Sequence, residues 1–403
     1  GGAGLSVPRP LRAQAKTVKV GAIYPVTGPL AEVGQLQRTA AQIAVDTINA
    51  AGGIKGMGGA RLELVTGDTE SKPEVARSVT ERVINDGAVM IMGGFHSGHI
   101  MAMVPVAQQR HVPFIIDVGA SDAITQNVAQ SVKEGKQKTQ YVYRIFPSTT
   151  TFGTRAVQNM LAVFQETKAS AKRIVVLYTN DAFGKPQAES FVKALGAANA
   201  GFEVLESIPY PEDAKDLSTE VSRVKALKPD ILSPITRPAT AVLLFPELAR
   251  QRVELRGVIS PGAPGMTQPR QLEILKEHLE YVMASVPWPN VKSARTHKVA
   301  EEFMKRTGGK GMDETSYSYD GIQVIADVLD RAKSTDPEQL VDAIKKTSFA
   351  DPIMLAAGPI RFNEGGENVA ATTAMVQILK NKPLVVWPKE SAQASPVFPR
   401  PKV

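Results

Sequence analysis

Short apolar runs rich in Val and Ile alternate with longer segments of helical period along most of the chain. Glycine, proline or aspartate bounds the runs, as expected of parallel strands that are buried on both faces. The runs cover residues 18–25, 62–65, 89–92, 112–118, 173–178, 202–205, 231–233, 257–260 and 281–286. This alternation predicts parallel β-sheets whose strands are joined through helices by right-handed crossovers.

The segments between the runs carry apolar residues on one helical face. The first stripe, which the pair Gly52–Gly53 ends, consists of Leu36, Ala40, Ile43, Ala44, Ile48 and Ala51. Ser71 and Glu74 have the spacing of a capping box in front of a second stripe. Two such strand–helix series, separated by the loop-rich stretch 122–154, predict two similar α/β lobes.

Composition narrows the classes of protein to which the chain can belong. Hydrophobic residues make up 43% and charged residues 22% of 403 positions, which is typical of a globular protein with a large core. Because cysteine is absent, the sequence excludes disulfides, thiolate metal sites and a cysteine nucleophile. We expect no membrane-spanning segment, since no uninterrupted run of about 18 apolar residues occurs.

The charge balance is mild and argues against nucleic acid as a partner. Lys and Arg number 47 against 40 Asp and Glu, which gives a net charge of +7. The densest basic cluster, residues 133–138, contains an acid and no aromatic residue. Nucleic-acid interfaces concentrate positive charge and interleave aromatic side chains, so we expect this cluster to be a solvated loop.

Both ends of the chain are expected to lie outside the lobes. Residues 1–15 contain no acid and end in Ala13-Gln14-Ala15, the small-x-small pattern that precedes a signal-peptidase cut. Two interpretations are open, a signal-peptide remnant cleaved near Ala15 and a disordered tail, and we favour the first. Residues 389–403 are rich in proline and show little periodicity, which predicts an extended tail.

The motifs that suggest an enzyme or a metal site are weak. In the sequence HSGH at 96–99 a hydroxyl lies between two imidazoles, yet Phe95 takes the place of the first glycine of a nucleophile elbow. His96 and His99 could ligate a metal, but no nearby carboxylate completes a recognisable ligand pattern. The glycine-rich stretch 52–59 follows a helix, whereas dinucleotide fingerprints follow a strand. We expect no catalytic residue, no metal and no cofactor.

Small turns that bear hydroxyl groups follow several of the predicted strands. They cover residues 24–29, 93–98, 119–122 and 179–184. In open parallel sheets, ligands bind outside the carboxyl ends of the strands, where free N–H groups and helix N-termini attract anions. Four turns in register with strand ends therefore predict a binding cleft.

Together these motifs resemble the periplasmic solute-binding proteins of ABC transporters, in the leucine/isoleucine/valine-binding (type I) family. The matching segments are PVTGPLAEVG (25–34), INAAGGIKG (48–56), the turn ending at Ser97, VPVAQQRHVPFI (104–115), GASD (119–122), TNDAFG (179–184) and SYDGIQVIADVL (318–329). The resemblance implies an α/β fold of two Rossmann-like lobes, each a mostly parallel sheet flanked by helices, joined by a three-crossing hinge. It also implies secretion to the periplasm and closure of the lobes around a ligand.

The resemblance also implies where the lobes divide. The N-terminal lobe would comprise residues 16–144 and 287–360, and the C-terminal lobe residues 145–286 and 361–388. The hinge crossings would fall near residues 143–146, 285–288 and 359–362. We expect a monomer that presents its ligand to the permease subunits of an ABC importer.

The resemblance assigns ligand-binding roles to residues of both lobes. It places the ligand carboxylate on hydroxyl and backbone N–H groups of Ser97, Ala120 and Ser121, at a loop-to-helix junction. Phe183 would cover the ligand from the second lobe. The other candidates are Tyr24, His96, Asp181, Arg237 and Gly262.

Two departures from the family pattern bear on the ligand. Amino-acid binders have an acid for the ammonium where this chain has Gly262, and an aromatic residue after the third strand of the second lobe where this chain has Thr236 and Arg237. Asp181 could replace the acid or only cap its own turn, and Arg237 could bind a second carboxylate or lie on the surface. An unpaired buried ammonium is costly, so we predict an acid without an α-ammonium, aromatic or hydrophobic first and a dicarboxylate second. Phe183 and Tyr24 would supply its apolar walls.

We therefore predict an extracytoplasmic solute-binding protein that captures a small organic carboxylate and delivers it to an ABC importer. The same fold could instead bind a branched-chain amino acid, an amide or a urea. It could also serve as a sensory module that passes the ligand state to a regulator or receptor. An enzyme is the third class, and the weak motifs argue against it.

Overall fold

The computed structural model describes residues 16–401. The proposed signal-peptide remnant, residues 1–15, lies outside the described residues, as do the last two positions. The strands are β1 (Thr17–Tyr24), β2 (Arg61–Asp68), β3 (Met90–Gly93), β4 (Phe114–Ile116), β5 (Val142–Arg144), β6 (Arg173–Thr179), β7 (Glu203–Tyr210), β8 (Ile231–Ile235), β9 (Gly257–Ser260), β10 (Met283–Val286), β11 (Ala374–Leu379) and β12 (Lys382–Trp387). The helices are α1 (Ala31–Ala50), α2 (Pro73–Asn85), α3 (Ser97–Gln109), α4 (Ala123–Lys133), α5 (Thr149–Thr167), α6 (Gly184–Ala197), α7 (Ser218–Leu227), α8 (Pro238–Arg250), α9 (Pro269–Leu275), α10 (Ala294–Arg306), α11 (Tyr317–Ala332) and α12 (Pro337–Lys345).

The strands form two sheets, which confirms the predicted α/β architecture. The first sheet has the order β2-β1-β3-β4-β5, and all of its neighbouring strands are parallel. The second has the order β12-β11-β10-β9-β8-β6-β7, and only the hairpin of β11 and β12 runs antiparallel to its neighbours. None of the helices among residues 16–401 combines the length and the apolar character that crossing a bilayer requires.

The chain passes between the two sheets at three places within the described residues. It leaves the first sheet after β5 and builds the second sheet from β6 to β10. Helices α10 and α11 then return to pack against α1 of the first lobe. The chain finally re-enters the second sheet at β11. The exact lobe boundaries and the hinge remain predictions.

Helix α1 shows how the apolar pattern produces the fold. Its buried face contains Leu36, Ala40, Ile43 and Ala44, four of the six residues of the predicted stripe. The helix ends at Ala50, just before the pair Gly52–Gly53, whose φ angles are +102° and +74°. Glycine adopts this left-handed conformation without steric cost, which explains why the helix ends here.

Two local predictions are wrong. The stretch 122–154 is not loop-rich, because it contains α4, β5 and the beginning of α5. Its only strand is three residues long and ends in the buried Arg144, so it lacked an apolar signal. Ser71 does not form a capping box: its hydroxyl donates to the Thr27 carbonyl at 2.8 Å and accepts from the Leu30 N–H at 3.1 Å.

The segment after β12 packs on the second lobe as far as residue 401. Phe398 is buried, and its ring centroid lies 4.8 Å from that of Phe164. Gln377 of β11 donates to the Val397 carbonyl at 2.8 Å and accepts from its N–H at 2.9 Å. The proline-rich tail is therefore an edge of the lobe wherever the structure describes it.

Candidate functional site

A small cavity lies between the lobes, at the carboxyl ends of strands from both sheets. The first lobe contributes Phe95, Val118, Gly119, Ala120 and Glu314, the connection after β5 contributes Phe146, and the second lobe contributes Phe152, Phe183, Arg237, Gly262 and Pro264. This is the edge at which parallel sheets bind ligands. The cavity is therefore the candidate binding site.

Phenylalanine side chains form most of the apolar wall. Phe95 follows β3, Phe183 precedes α6, and Phe146 and Phe152 lie on either side of the start of α5. The ring centroids of Phe146 and Phe152 are 5.7 Å apart. Aromatic faces of this kind suit a planar or branched apolar body in the ligand.

The predicted carboxylate anchor lies where α3 begins. Ser97 is the first residue of α3, and its hydroxyl oxygen accepts the Ser121 N–H at 3.4 Å. Ala120 reaches the cavity wall, whereas Ser97 and Ser121 are buried beside it, with 1% and 2% of their surfaces exposed. The structure thus brings the three residues together, and Ala120 is the one that faces the cavity.

A buried arginine that sequence reasoning missed holds this loop. Arg144 of β5 is fully buried and donates through Nη1 to the carbonyls of Gly119 at 3.1 Å and Ser121 at 2.8 Å. Its Nε donates to Glu367 at 2.9 Å. Because Arg144 binds the carbonyls on either side of Ala120, the loop between them has a fixed orientation. A charged residue at the end of a short apolar run was the sequence feature that could have indicated this role of Arg144.

Arg237 and Asp181 form a buried ion pair on the second lobe. Arg237 Nε lies 2.8 Å from Asp181 Oδ2, and its guanidinium carbon is 4.9 Å from the centre of the Phe183 ring. Asp181 Oδ1 accepts the N–H groups of Phe183 at 2.8 Å and Gly184 at 2.7 Å. Burial raises the pKa of Asp181, but the Arg237 charge and these donors outweigh it, and the net pKa is lowered.

These contacts decide between the alternatives left open for both residues. Both Asp181 oxygens are occupied within the protein, so this carboxylate caps the first turn of α6 and is not free for a ligand ammonium. Arg237 lines the cavity and is 5% exposed, so it is not a surface residue. Its buried Nη2 has no hydrogen-bond partner among residues 16–401.

His96 connects the two lobes. Its Nδ1 accepts the Gly98 N–H at 3.0 Å, and its Nε2 lies 2.7 Å from Glu212 Oε1, a residue that follows β7. These contacts assign the hydrogen to Nε2, which then donates to Glu212. The His96 hydrogen bond lowers the pKa of Glu212, although burial opposes the shift. His99 stacks on His96, and burial lowers its pKa to about 3.

His96, Asp181 and Glu212 are the candidates for a metal site. Their ligand atoms lie within 4.8 Å of one another. However, Arg237 Nε lies 2.8 Å from Asp181 and 3.9 Å from Glu212, so a guanidinium already occupies the place of a cation. The geometry favours a polar contact between the lobes over a metal centre.

Glu314 is an acidic residue of the cavity wall that sequence reasoning missed. It lies just before α11, is 7% exposed, and has no hydrogen-bond or ion-pair partner among the described residues. Burial and the charge of Asp313 raise its pKa to about 8, against the opposing effect of Arg237. It lies four residues before the segment 318–329, which carried the family resemblance. The two adjacent acidic residues Asp313 and Glu314 were the sequence feature that could have indicated it.

Tyr24 is not at the cavity, which corrects its predicted role as an apolar wall. Its side chain points into the first lobe, where it is fully buried and its hydroxyl donates to Asp117 at 2.8 Å. Gly262 does line the cavity, with φ +117°. A Cβ atom here would lie 2.2 Å from Phe152, so this turn has no room for a side chain.

Comparisons with known proteins agree with this arrangement. A family model described as periplasmic binding protein matches residues 17–383. The Leu/Ile/Val-binding protein homolog 8 of Brucella abortus is 23% identical over 94% of this chain and 93% of its own length. That relative is a binding protein, the class predicted for this chain.

Two solved structures share the fold. The branched-chain amino acid transporter substrate-binding protein of Streptococcus pneumoniae, in complex with isoleucine, has a TM-score of 0.76 at 19% identity and covers 95% of this chain and 100% of its own. A solute-binding protein of an ABC transporter from Rhodopseudomonas palustris, in complex with 3,4-dihydroxybenzoic acid, has a TM-score of 0.75 at 20% identity and covers 91% and 95%. Both likenesses confirm the fold.

Proposed function

From the premise that this chain belongs to the periplasmic binding protein family, we propose that it captures a small organic carboxylate and delivers it to an ABC importer. Membership in the family implies a periplasmic location. The proposal includes a monomer that hands its ligand to permease subunits, a leader cleaved near Ala15, and a hinge at the three crossings between the lobes.

One observation carries the proposal: the cavity is built from both lobes. Ala120 and Glu314 face it from the first lobe, while Phe183 and Arg237 face it from the second. A ligand that contacts both walls binds the closed form more tightly than the open form, and therefore shifts the population toward closure. Closure in turn would create the surface that a permease recognises.

The chemistry of the walls supports a carboxylate with an apolar body. The N–H groups and hydroxyls near Ala120 and the start of α3 suit a carboxylate. The four phenylalanines suit an aromatic or branched aliphatic body. Isoleucine and 3,4-dihydroxybenzoic acid, the ligands of the two structural relatives, share a carboxylate and an apolar body. The roles of Ser97, Ala120 and Ser121 are part of this proposal.

A ligand screen followed by solution scattering tests the proposal. We expect aromatic or hydrophobic acids in the panel to raise the melting temperature, since a ligand at 100 times its Kd stabilises the fold by about 2.7 kcal/mol. The same ligands should reduce the radius of gyration, because closure makes the molecule more compact. Binding without compaction would contradict the mechanism, and no response to any carboxylate would contradict the proposed function.

A matched pair of variants controls for the fold. Phe183→Ala removes the second-lobe cover of the cavity and should weaken binding. Phe202→Ala removes a ring of the same size just before β7, at the opposite end of the sheet, and should leave the affinity within about twofold.

A further inference from the structure

We propose that Glu314 binds a protonated amine of the ligand, so that the site selects an organic acid that also carries an ammonium group. The inference rests on the proposed function, whose carboxylate and apolar body it keeps, and it adds a third point of attachment. It revises the expectation of an acid without an ammonium. That expectation assumed that Gly262 leaves the cavity without a carboxylate for a cation.

The first argument is that nothing in the described chain satisfies Glu314. Its side chain is on the cavity wall with 7% of its surface exposed, and neither carboxylate oxygen accepts a hydrogen bond. Buried carboxylates are ordinarily paired or hydrogen-bonded, because loss of water is costly for a charge. The cavity wall therefore presents an acceptor that a donor group on the ligand can satisfy.

The second argument is the charge balance. Three carboxyl groups, those of Asp181, Glu212 and Glu314, interact electrostatically with the guanidinium of Arg237. Asp181 is paired with Arg237, and Glu212 lies 3.9 Å from the same Nε atom. A plain organic acid would add a further negative charge to this group, whereas a zwitterion adds none and supplies a cation to Glu314.

In a competing possibility, Glu314 donates a hydrogen bond to the ligand instead of accepting one. If Glu314 stays protonated in the complex, its hydroxyl hydrogen could be donated to the carboxylate of a plain acid. The two possibilities predict opposite preferences between an amino acid and its deaminated analogue. They are therefore separable by binding measurements alone.

The experiment compares ligands that differ only in the amine. The pairs are leucine with 4-methylpentanoate, phenylalanine with 3-phenylpropanoate, and 4-(aminomethyl)benzoate with 4-methylbenzoate, each titrated by calorimetry at neutral pH. We expect the amine of at least one pair to strengthen binding to the wild-type protein by roughly 10- to 150-fold, as for a hydrogen bond to a charged group. Glu314→Gln, which keeps the shape and removes the charge, should abolish this preference. Glu301→Gln, an exposed change on α10, should keep it.

The outcomes distinguish the two proposals. Equal binding within every pair, or tighter binding of the deaminated members, would overturn the role of Glu314 and leave the capture of carboxylates standing. Failure of both members of every pair and of the wider carboxylate panel would overturn the proposed function itself. The wild-type comparison does not depend on the folding of any variant. If Glu314→Gln folds and retains the preference for the amine, the inference is also overturned.

Discussion

Arg237 is the residue on which the polar contacts of the cavity converge. It binds Asp181 through Nε at 2.8 Å, stacks over Phe183, and leaves its buried Nη2 without a partner among residues 16–401. Asp181 in turn caps α6 through two backbone N–H groups. The pair therefore fixes the second-lobe wall before any ligand arrives, which reduces the cost of ordering it on binding.

We expect Asp181→Asn to lower the free energy of unfolding by about 3 kcal/mol, because it leaves the buried guanidinium without its main partner. This loss of stability is at the lower end for a broken buried pair, since Glu212 Oε1 remains 3.9 Å from Arg237 Nε. Urea denaturation followed by circular dichroism measures it. Glu189→Gln breaks the exposed pair with Lys185 and should change the stability by less than about 0.5 kcal/mol. Equal effects of the two changes would contradict the assignment.

The sequence predicted some of these residues and missed others for a physical reason. Ala120 and Phe183 lie in turns that follow strands, so the local pattern predicted them at the cleft, and the family resemblance added Gly262. Glu314 and Arg144 meet the site only because α11 and β5 return to it from distant parts of the chain. Tyr24 was misplaced because the last residue of a strand can point to either side, and here it points to Asp117.

Among the elements, the segment after β12 differs most from its prediction. Phe398 is 6% exposed, contacts Phe164, and lies against Gly257 at the start of β9. We expect Phe398→Ala to destabilise the protein by about 3 kcal/mol, the usual cost of emptying the place of a buried ring. Ile274→Ala, at a position 47% exposed on α9, should change the free energy of unfolding by less than about 1 kcal/mol. A similar small effect at both positions would show that the tail is not bound in solution.

Most strands were predictable from their apolar runs, including the three-residue β4, whereas β5 and the hairpin of β11 and β12 were not. β1 and α1 have enough buried positions to produce a clear pattern. β5 has three residues and ends in the charged Arg144, and the hairpin of β11 and β12 follows the irregular segment 346–373. Their pairing depends on tertiary contacts, such as the hydrogen bonds of Arg144 and Gln377, which no local pattern encodes.

On the scale of the whole molecule, two carboxyl groups in the cleft between the lobes have opposing effects on closure. The His96–Glu212 contact holds the lobes together and lowers the pKa of Glu212, so its contribution to closure is lost only below about pH 4.5. Ionisation of Glu314 has the opposite effect and opposes closure. Burial and the Asp313 charge raise its pKa from 4.5 to about 8, while Arg237 counteracts the rise. Closing the empty cavity above pH 4.5 therefore requires uptake of a proton or burial of a charge.

The ligand-free protein should consequently open as the pH rises from about 5 to about 8.5, because each unit by which closure raises the pKa of Glu314 costs 1.36 kcal/mol once the carboxyl group is ionised. Small-angle scattering of the empty protein across this range should show an increasing radius of gyration. Glu314→Gln has no charge to bury and should give a flat profile, whereas Glu301→Gln should follow the wild type. An ammonium-bearing ligand at saturation should also flatten the profile, because its cation compensates the ionised carboxylate. A profile in Glu314→Gln that still rises like the wild type would assign the opening to another group.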